Sequence, residues 1–221
     1  MVDDSYYQMT RPEIVPLMPK GVKRILEIGC AAGGFRRNFE DEIEYWGVEP
    51  IASAANKADA KGNMKVLRGA YDAVVDQIPN EYFDAVVCND VIEHIADTRA
   101  FLKSLRSKLT SAGCIVGSIP NIRFIGTVKM LLLRRDWQYE DSGIMDYTHL
   151  RFFTPKSFAR VLQESGFEID ILEGIGSRRM ELIEKVLKPI FWAVGEDLCH
   201  MQYRFRAYRK GMRRNQKSAN D

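Results

Sequence analysis

Short runs rich in β-branched and aromatic residues alternate with helical stretches through the first 120 residues, and this alternation constrains the fold more than any other feature. The predicted strands are 24–29, 45–49, 64–68, 83–88 and 114–119. The helices predicted between them are 34–42, 51–61, 70–77 and 97–109. Strands that alternate with helices form parallel βαβ units with right-handed crossovers. The pattern therefore predicts an α/β fold, a doubly wound and mostly parallel sheet with helices on both faces.

The regular alternation of predicted strands and helices stops after residue 119. Residues 121–153 form an aromatic-rich stretch, whereas connections in compact α/β proteins usually have about 2–6 residues. We interpret 121–153 as an insertion after the fifth strand that forms a substrate lid. A helix is predicted to begin at Thr154-Pro155. The elements expected at the end of the chain are a strand at 167–172, a helix at 178–194, a strand at 201–209 and a flexible polar tail at 210–221. One domain over 1–209 is the simplest organisation.

The composition excludes several classes of protein. Thirty-two Lys and Arg face thirty Asp and Glu, which leaves a net charge of +2, so the chain is not a general polyanion binder. The four cysteines have no CxxC spacing of the kind that indicates zinc. The acidic, polar start does not look like a secretory signal, and no apolar run reaches the ~20 residues that span a bilayer. A cytoplasmic location is expected.

A small-residue turn follows the first predicted strand. Gly29, Cys30, Ala31 and Gly33 lie between that strand and a helix, where backbone can approach a ligand closely and free N–H groups are available. A tight strand-to-helix turn also favours glycine, so the turn alone does not identify a site. Glu49 stands twenty positions after Gly29 at the end of the next strand, where a carboxylate can accept ribose hydroxyls. A nicotinamide dinucleotide site uses an acid at the same distance, so the nucleoside is left open by these residues.

Further motifs stand in register along the chain: Tyr6-Tyr7, Arg11-Pro12-Glu13-Ile14, Trp46-Gly47-Val48-Glu49-Pro50, Phe83-Asp84-Ala85-Val86-Val87 and Asn89-Asp90-Val91-Ile92-Glu93-His94. With these motifs, and with an acid two residues before the glycine turn, the chain resembles the seven-strand (class I) S-adenosylmethionine-dependent methyltransferases from about residue 6 to residue 209. The resemblance implies a Rossmann-like seven-stranded sheet with an antiparallel last strand. It implies S-adenosylmethionine as cofactor and S-adenosylhomocysteine as product. The cofactor residues it implies are Glu27, Gly29, Cys30, Ala31, Gly33, Phe35, Glu49, Pro50, Ala70, Tyr71 and Asn89.

Two positions depart from the family pattern. Ala31 replaces the middle glycine of the turn, a change that the loop absorbs if φ at this residue is negative. Ala70 stands where the family often has an acid that binds the adenine amino group. We therefore expect adenine to be held by main-chain groups of Ala70 and Tyr71, or by Asp72.

Two histidines are the candidate catalytic residues. His94 follows the fourth strand at the edge where open α/β sheets bind ligands, so it is the first candidate for a general base. His149 lies in 145–154, which resembles a stretch of methyltransferases associated with sugar and surface-polysaccharide assembly. For His149 and Arg151, substrate contact and anchoring of the lid are equally open. The residues expected to contact substrate are Tyr6, Tyr7, Asn121, Tyr147 and Arg151. The predicted reaction is O-methylation of a sugar, glycan or glycolipid intermediate.

A metal site is an alternative interpretation of the motif after the fourth strand. Asp90, Glu93 and His94 would share one face of a helical turn, and similar stretches occur in metal-dependent methyltransferases of quinone precursors and small RNAs. Acids at a helix start also complement the helix dipole, and no second histidine follows in this motif. We therefore predict no metal.

The last predicted strand is basic and interleaved with aromatic residues, a composition found in nucleic-acid-binding segments. Tyr203, Phe205 and Ala207 alternate with Arg204 and Arg206, however, which is the pattern of an amphipathic strand with a basic wet face. The expected partner is thus a small-molecule or glycan acceptor and not nucleic acid, with peripheral membrane contact left open. A nicotinamide-dependent oxidoreductase and a non-catalytic S-adenosylmethionine-binding protein are the remaining alternatives.

Overall fold

A computed structural model describes residues 9–175 and 195–211. They build one seven-stranded sheet in the order β3-β2-β1-β4-β5-β7-β6. The strands are β1 Arg24–Ile28, β2 Glu44–Glu49, β3 Lys65–Arg68, β4 Phe83–Asn89, β5 Leu109–Pro120, β6 Phe167–Ile175 and β7 Gln202–Arg209. The helices are α1 Ala52–Asp59, α2 Tyr71–Val74, α3 Thr98–Lys108, α4 Ile125–Lys129 and α5 Pro155–Glu164. All seven predicted strands are present.

The direction of the strands confirms the predicted topology. Strands β1 to β5 pair in parallel, and β7 runs antiparallel to both β5 and β6. Two predicted helices are shorter than expected. The helix predicted at 34–42 is a 3-10 turn, Phe35–Asn38, and the helix at 70–77 is α2 followed by a 3-10 turn, Val75–Gln77. Apolar periodicity overestimates helices of this size because a single turn has too few hydrogen bonds to extend.

The core lies against the central strands. Leu26, Val86 and Ile115, from β1, β4 and β5, are completely buried, as expected for parallel strands covered on both faces. The backbones of β4 and β5 approach so closely that a Cβ on Gly117 would lie 1.8 Å from the carbonyl oxygen of Cys88. Only glycine fits at this position in β5.

The insertion after β5 is closed at its base. A single bridge joins Asn121 to Phe153, and α4 is followed by a π-helical turn, Met130–Arg134. Helix α5 begins directly after the insertion, where Thr154 and Ser157 form a reciprocal capping box around Pro155. The predicted start of this helix is confirmed.

The wet face of β7 is neutralised by neighbouring acids. Arg204 pairs with Glu173 at 2.7 Å and Arg206 with Asp170 at 2.6 Å, while Tyr203, Phe205 and Ala207 are buried. The predicted amphipathic strand is confirmed. Among the residues that the structure describes, no helix is both long and apolar enough to cross a bilayer. The predictions at Tyr6 and Tyr7, the helix at 178–194 and the tail from residue 212 lie outside the described residues.

Candidate active site

The turn after β1 carries two left-handed glycines. Gly29 and Gly33 both have φ of +70°, and the N–H of Gly29 donates to the carbonyl of Val48 in β2 at 2.8 Å. A Cβ on Gly29 would lie 2.9 Å from Cγ2 of Val91. Both the backbone conformation and the space therefore require glycine at position 29.

Ala31 adopts a conformation that the sequence did not predict. Its φ is +49°, so the negative φ that would let the loop absorb the methyl group without strain is not present. The αL conformation costs an L-residue with a Cβ about 1–2 kcal/mol. The loop holds it there because the N–H of Ala31 donates to Oε2 of Glu49 at 2.8 Å.

Glu49 links the turn to the end of β2. Its Oε2 accepts from Ala31, and its Oε1 accepts from the N–H of Ile51 at 2.9 Å. Burial raises the pKa of this carboxyl, and the two backbone hydrogen bonds oppose that rise. Each carboxylate oxygen has a second lone pair, so both remain able to accept a ligand hydroxyl.

A cleft opens beside this turn. Its lining residues are Met9, Arg11, Glu27, Gly29, Cys30, Ala31, Gly34, Phe35 and Asn89. Six of them were predicted as cofactor residues: Glu27, Gly29, Cys30, Ala31, Phe35 and Asn89. The side-chain amide of Asn89 is buried, and neither its nitrogen nor its oxygen has a hydrogen-bond partner among the described residues. A buried amide without hydrogen bonds destabilises the folded protein unless a ligand bonds to it, so the cleft fits a polar ligand.

The floor of the cleft contains a buried acid. Oε2 of Glu27 accepts a 2.7 Å hydrogen bond from the hydroxyl of Tyr45. Burial raises the pKa of Glu27 to about 8, and the hydrogen bond from Tyr45 opposes the rise. A carboxyl with such a pKa would gain most from a cationic ligand, which favours its ionised form.

The sequence did not identify Arg11 as a site residue, although it stands in a quoted motif. Arg11 forms an ion pair with Asp90, the first residue after β4. Asp90 also accepts from the hydroxyl of Ser118 at 2.8 Å and from the side chain of Gln202 at 3.1 Å. The alternative in which Asp90, Glu93 and His94 share one helical face is therefore not formed. Asp90 has a φ of +51° and its carboxylate is committed to this network.

Ala70 and Tyr71 were predicted to hold adenine, and the Tyr71 side chain is engaged elsewhere. The hydroxyl of Tyr71 lies 2.8 Å from Oγ of Ser104, and the Tyr71 ring packs against Phe101. The Tyr71 side chain thus belongs to the core, and the expected contact through main-chain groups of Ala70 and Tyr71 stays a prediction. Pro50 follows Glu49 on the surface.

Glu93, His94 and His149 come together at the edge of the sheet. Each offers one ligand atom, and these atoms lie within 4.8 Å of one another. Burial raises the pKa of Glu93 to about 8, and neither of its carboxyl oxygens has a hydrogen-bond partner among the described residues. The second histidine, absent from the motif after β4, is supplied by the insertion.

The two imidazoles are held by backbone carbonyls. Nδ1 of His149 lies 3.0 Å from the carbonyl of Ile144, and Nδ1 of His94 lies 3.2 Å from the carbonyl of Thr148. A carbonyl only accepts, so Nδ1 carries the proton in each neutral ring and Nε2 keeps a free lone pair. Burial also lowers the pKa of His149, which favours its neutral form. Both rings can therefore act as bases or as metal ligands.

The remaining predicted substrate residues occupy different environments. Asn121 is buried, and its amide donates to the carbonyls of Asp197 and His200 and accepts from the N–H of Arg123, which favours a structural role. Tyr147 is exposed, and Arg151 donates to the carbonyl of Ala96. Substrate contact by these residues stays a prediction.

A family model described as a methyltransferase domain matches residues 6–171, three quarters of the chain. The chain belongs to the methyltransferase-domain family. This confirms the family predicted from the motifs. The match includes the glycine turn, Glu49 and the segment from Asn89 to His94, together with the insertion that supplies His149.

Several curated proteins are similar to this methyltransferase domain. An uncharacterised methyltransferase of Mycobacterium bovis is 30% identical over 101 residues, which cover 45% of this chain and 51% of that protein. The ubiquinone biosynthesis O-methyltransferase of Nitrobacter winogradskyi is 29% identical over 169 residues, which cover 69% of this chain and 59% of that protein. The chain spans about half the length of the mycobacterial relatives it matches.

Solved structures support the fold. A SAM-dependent methyltransferase from Archaeoglobus fulgidus superposes with a TM-score of 0.63 at 22% identity, covering 88% of this chain and 89% of that one. A second, from Mesorhizobium loti, gives 0.62 at 15% identity, with 90% and 96% covered. The predicted Rossmann-like architecture is confirmed by these superpositions.

Proposed function

We propose that this methyltransferase domain transfers the methyl group of S-adenosylmethionine to a hydroxyl oxygen of an aromatic acceptor. One observation carries the proposal: the cleft beside the glycine turn holds the buried amide of Asn89, which has no hydrogen-bond partner among the described residues. Only five residues later the chain reaches His94, which forms the base cluster together with Glu93 and His149. A cofactor site and an acid–base site are thus joined by the end of one strand, β4.

The residues of the cleft, and Glu49 and Gly33 beside it, fit the parts of this cofactor. Glu49 has free lone pairs for two ribose hydroxyls, and Asn89 has both a donor and an acceptor without partners. Glu27, once ionised, would favour a cationic ligand over a neutral one. The left-handed turn at Gly29 and Gly33 lets the backbone approach the ligand without a side chain between them.

The histidines provide the proton transfer that an oxygen acceptor needs. The cofactor, when bound, supplies an activated methyl group for an in-line displacement, so the chain's own contribution is alignment and deprotonation. Nε2 of His94 would take the proton of the acceptor hydroxyl, while the carbonyl of Thr148 holds Nδ1 and fixes the ring. His149, whose lowered pKa keeps it neutral, is the second candidate base.

The aromatic character of the acceptor is supported by the rings beside this cluster. The ring centroids of His149 and Phe152 are 6.2 Å apart, and those of Phe152 and Trp137 are 5.2 Å apart. Such a row suits a flat apolar acceptor better than a polyhydroxylated one. Relatives named as ubiquinone biosynthesis O-methyltransferases point to a quinone-precursor phenol. The sugar or glycan acceptor expected from residues 145–154 has no support from these relatives.

Metal assistance is an alternative to base catalysis by His94, because a cation bound at Nε2 would occupy the lone pair that a general base needs. The buried carboxylate of Glu93 accepts no hydrogen bond from the described residues. With the lone pairs of His94 and His149 it forms a mixed oxygen and nitrogen donor set that fits a divalent cation such as Zn²⁺ or Mn²⁺. A bound cation would polarise the acceptor oxygen. An RNA acceptor is not favoured, because the basic face of β7 is engaged by acids.

Calorimetry tests the cofactor first. We expect S-adenosylhomocysteine to bind and nicotinamide dinucleotides to give no heat, because the cleft follows the methyltransferase pattern. The reverse result would favour the oxidoreductase alternative and reject the proposal.

Transfer of radiolabelled methyl groups is then measured on catechol-type quinone precursors and on simple sugars. Labelling of sugars alone would reject the aromatic acceptor, and binding without any labelling across both panels would favour a non-catalytic protein.

Metal binding is tested without any turnover. After chelation and dialysis, calorimetry with Mn²⁺ and Zn²⁺ should show one site in the wild type. Glu93→Gln and His149→Ala should each weaken it by about tenfold or more, because ligand loss leaves too few donors. Glu164→Gln, which alters a carboxylate paired with Arg99 on the surface, is the control. Equal affinity in all four proteins would exclude this cluster as the metal site.

A further inference from the structure

Exposed apolar side chains are concentrated in one segment of the described chain. Of the ten large hydrophobic residues that are exposed, seven lie between residues 131 and 150: Leu131, Leu132, Leu133, Trp137, Tyr139, Tyr147 and Leu150. Three consecutive leucines are the most unusual of these, with exposed fractions of 47%, 68% and 73%. Contiguous exposed leucines on a folded protein indicate an interaction surface.

The leucines are flanked by basic residues. Lys129, Arg134 and Arg135 are all exposed, and residues 121–135 contain four Lys or Arg and no Asp or Glu. We call Leu131, Leu132 and Leu133, with these three cations, the leucine surface. Its acidic neighbours come later: Asp136 accepts the N–H of Trp137, and the next acids follow Tyr139. Residues 129–136 thus contain three cations and one acid, a net charge of +2 around the leucines.

The backbone presents this surface on an irregular turn. Met130–Arg134 is π-helical, and Arg135 has a left-handed φ of +57°. A π turn is a rare conformation that is frequent at functional sites. Leu131, Leu132 and Leu133 all lie within this turn, directly after α4.

We propose that the leucine surface docks onto a bilayer of anionic phospholipid, with Leu131, Leu132 and Leu133 in the acyl boundary and the cations at the phosphates. Surface-bound segments combine apolar insertion with attraction of Lys and Arg to anionic headgroups in this way. Trp137 and Tyr139, both exposed, are the residue types that occupy the membrane–water interface.

A second copy of the chain fits this surface less well than a bilayer does. A two-fold contact sets the same patch against itself, so the net positive charge of one copy would face the net positive charge of the other around the leucines. An anionic surface meets the same cations with opposite charge. Charge complementarity thus selects the bilayer.

A row of rings begins at Trp137, four residues after Leu133, and ends at the candidate active site. Trp137 packs on Phe152, Phe152 on His149 and His149 on His94, with ring centroids 5.2, 6.2 and 4.7 Å apart. A lipid-soluble acceptor would follow this row of rings from the bilayer to the histidines. That extension rests on the proposed function, whereas the docking itself does not.

Vesicle co-sedimentation with the full chain tests the docking. Wild type should bind vesicles of phosphatidylcholine mixed with phosphatidylglycerol, and should bind much less to phosphatidylcholine alone. The triple variant L131S/L132S/L133S and the double variant R134E/R135E should each lower the partition coefficient by about tenfold or more. Met201→Ser and Lys103→Glu, which change an exposed apolar and an exposed basic residue elsewhere, should stay within about twofold of wild type.

Three results would overturn the docking proposal: no binding of wild type to anionic vesicles, equal binding to neutral ones, or unchanged binding of the triple variant. A wild-type dimer that the triple variant converts to a monomer, with no vesicle binding, would assign the surface to a second copy. The emission of a fluorophore attached to L132C should shift to shorter wavelength only when vesicles are added. A probe already shielded in their absence would show that the leucines are covered by protein.

Thermal unfolding verifies the fold of each variant. Vesicle binding without S-adenosylhomocysteine binding would reject the proposed function but not the docking.

Discussion

Nε2 of His149 lies 3.9 Å from Oε1 of Glu93, although one residue belongs to the insertion after β5 and the other follows β4. The backbone maintains this relationship, because the N–H groups of Leu150 and Arg151 both donate to the carbonyl of Glu93 at 2.9 Å. The insertion is thereby fixed to the edge of the sheet at the point where the candidate base cluster forms.

His94→Ala should reduce methyl transfer by about 10²–10⁴-fold while leaving the affinity for S-adenosylhomocysteine unchanged, because a general base acts only on the acceptor. The measurement is single-turnover transfer alongside calorimetry. His200→Ala, which changes a histidine packed against Tyr203, is the matched control. A rate within about threefold of wild type would remove His94 from the mechanism.

Glu49→Ala should weaken S-adenosylhomocysteine binding by about a hundredfold or more. Two hydrogen bonds to a charged carboxylate are lost, together with its support of the Ala31 N–H, and each bond contributes about 1.5–3 kcal/mol. Calorimetry gives the affinity, and Glu44→Ala, which alters an exposed acid on the same strand, is the control. Unchanged binding would show that Glu49 does not hold the ribose.

Arg11→Ala should destabilise the fold by about 3 kcal/mol, because it leaves the carboxylate of Asp90 with only the Ser118 and Gln202 donors in a largely buried position. Denaturant unfolding measures the loss. Arg24→Ala breaks a more exposed and longer pair with Asp84, at 3.8 Å, and should cost less than about 1 kcal/mol. Equal losses would mean that the Arg11 pair is no more than a surface contact.

Ala31→Gly should stabilise the protein by about 1 kcal/mol, since glycine adopts the positive φ of this position without the steric cost of a Cβ. Ala100→Gly, in helix α3, is the opposite control and should destabilise by about 0.5–1 kcal/mol. The two free energies of unfolding, measured in urea, should therefore differ in sign. A destabilising Ala31→Gly would show that the left-handed turn relaxes in solution.

Glu27→Gln should change how stability depends on pH. The folded pKa of Glu27 is about 8, above the ordinary value of 4.5, so the folded protein holds a proton that the unfolded chain releases between these values. The stabilisation is complete below about pH 4.5 and is lost as pH rises through 8. The melting temperature of wild type should thus fall relative to Glu27→Gln by about 2–4 °C per pH unit between 5 and 8. Parallel curves would contradict a buried, protonated Glu27.

The strand pattern and the glycine turn were readable from the sequence because both are local. Period-2 and continuous apolar runs identify strands, and the positions of Gly29, Gly33 and Glu49 follow from one βαβ unit. Helical periodicity failed at 34–42 and in part at 70–77, where the segments have room for only one or two turns.

The grouping of Glu93, His94 and His149 could not be predicted from the sequence, because it forms only in the tertiary structure. The sequence by itself determined the α/β class, the seven strands along the chain, the motifs of the family and the position of the glycine turn. Only the folded chain decided that Asp90 turns to Arg11, that Ala31 adopts a positive φ, and that His149 joins Glu93 and His94. Local patterns are fixed by backbone sterics and short-range hydrogen bonds, which neighbours in sequence control. The partners of a buried charge are set by which distant segments pack beside it, and no periodicity along the chain records that choice.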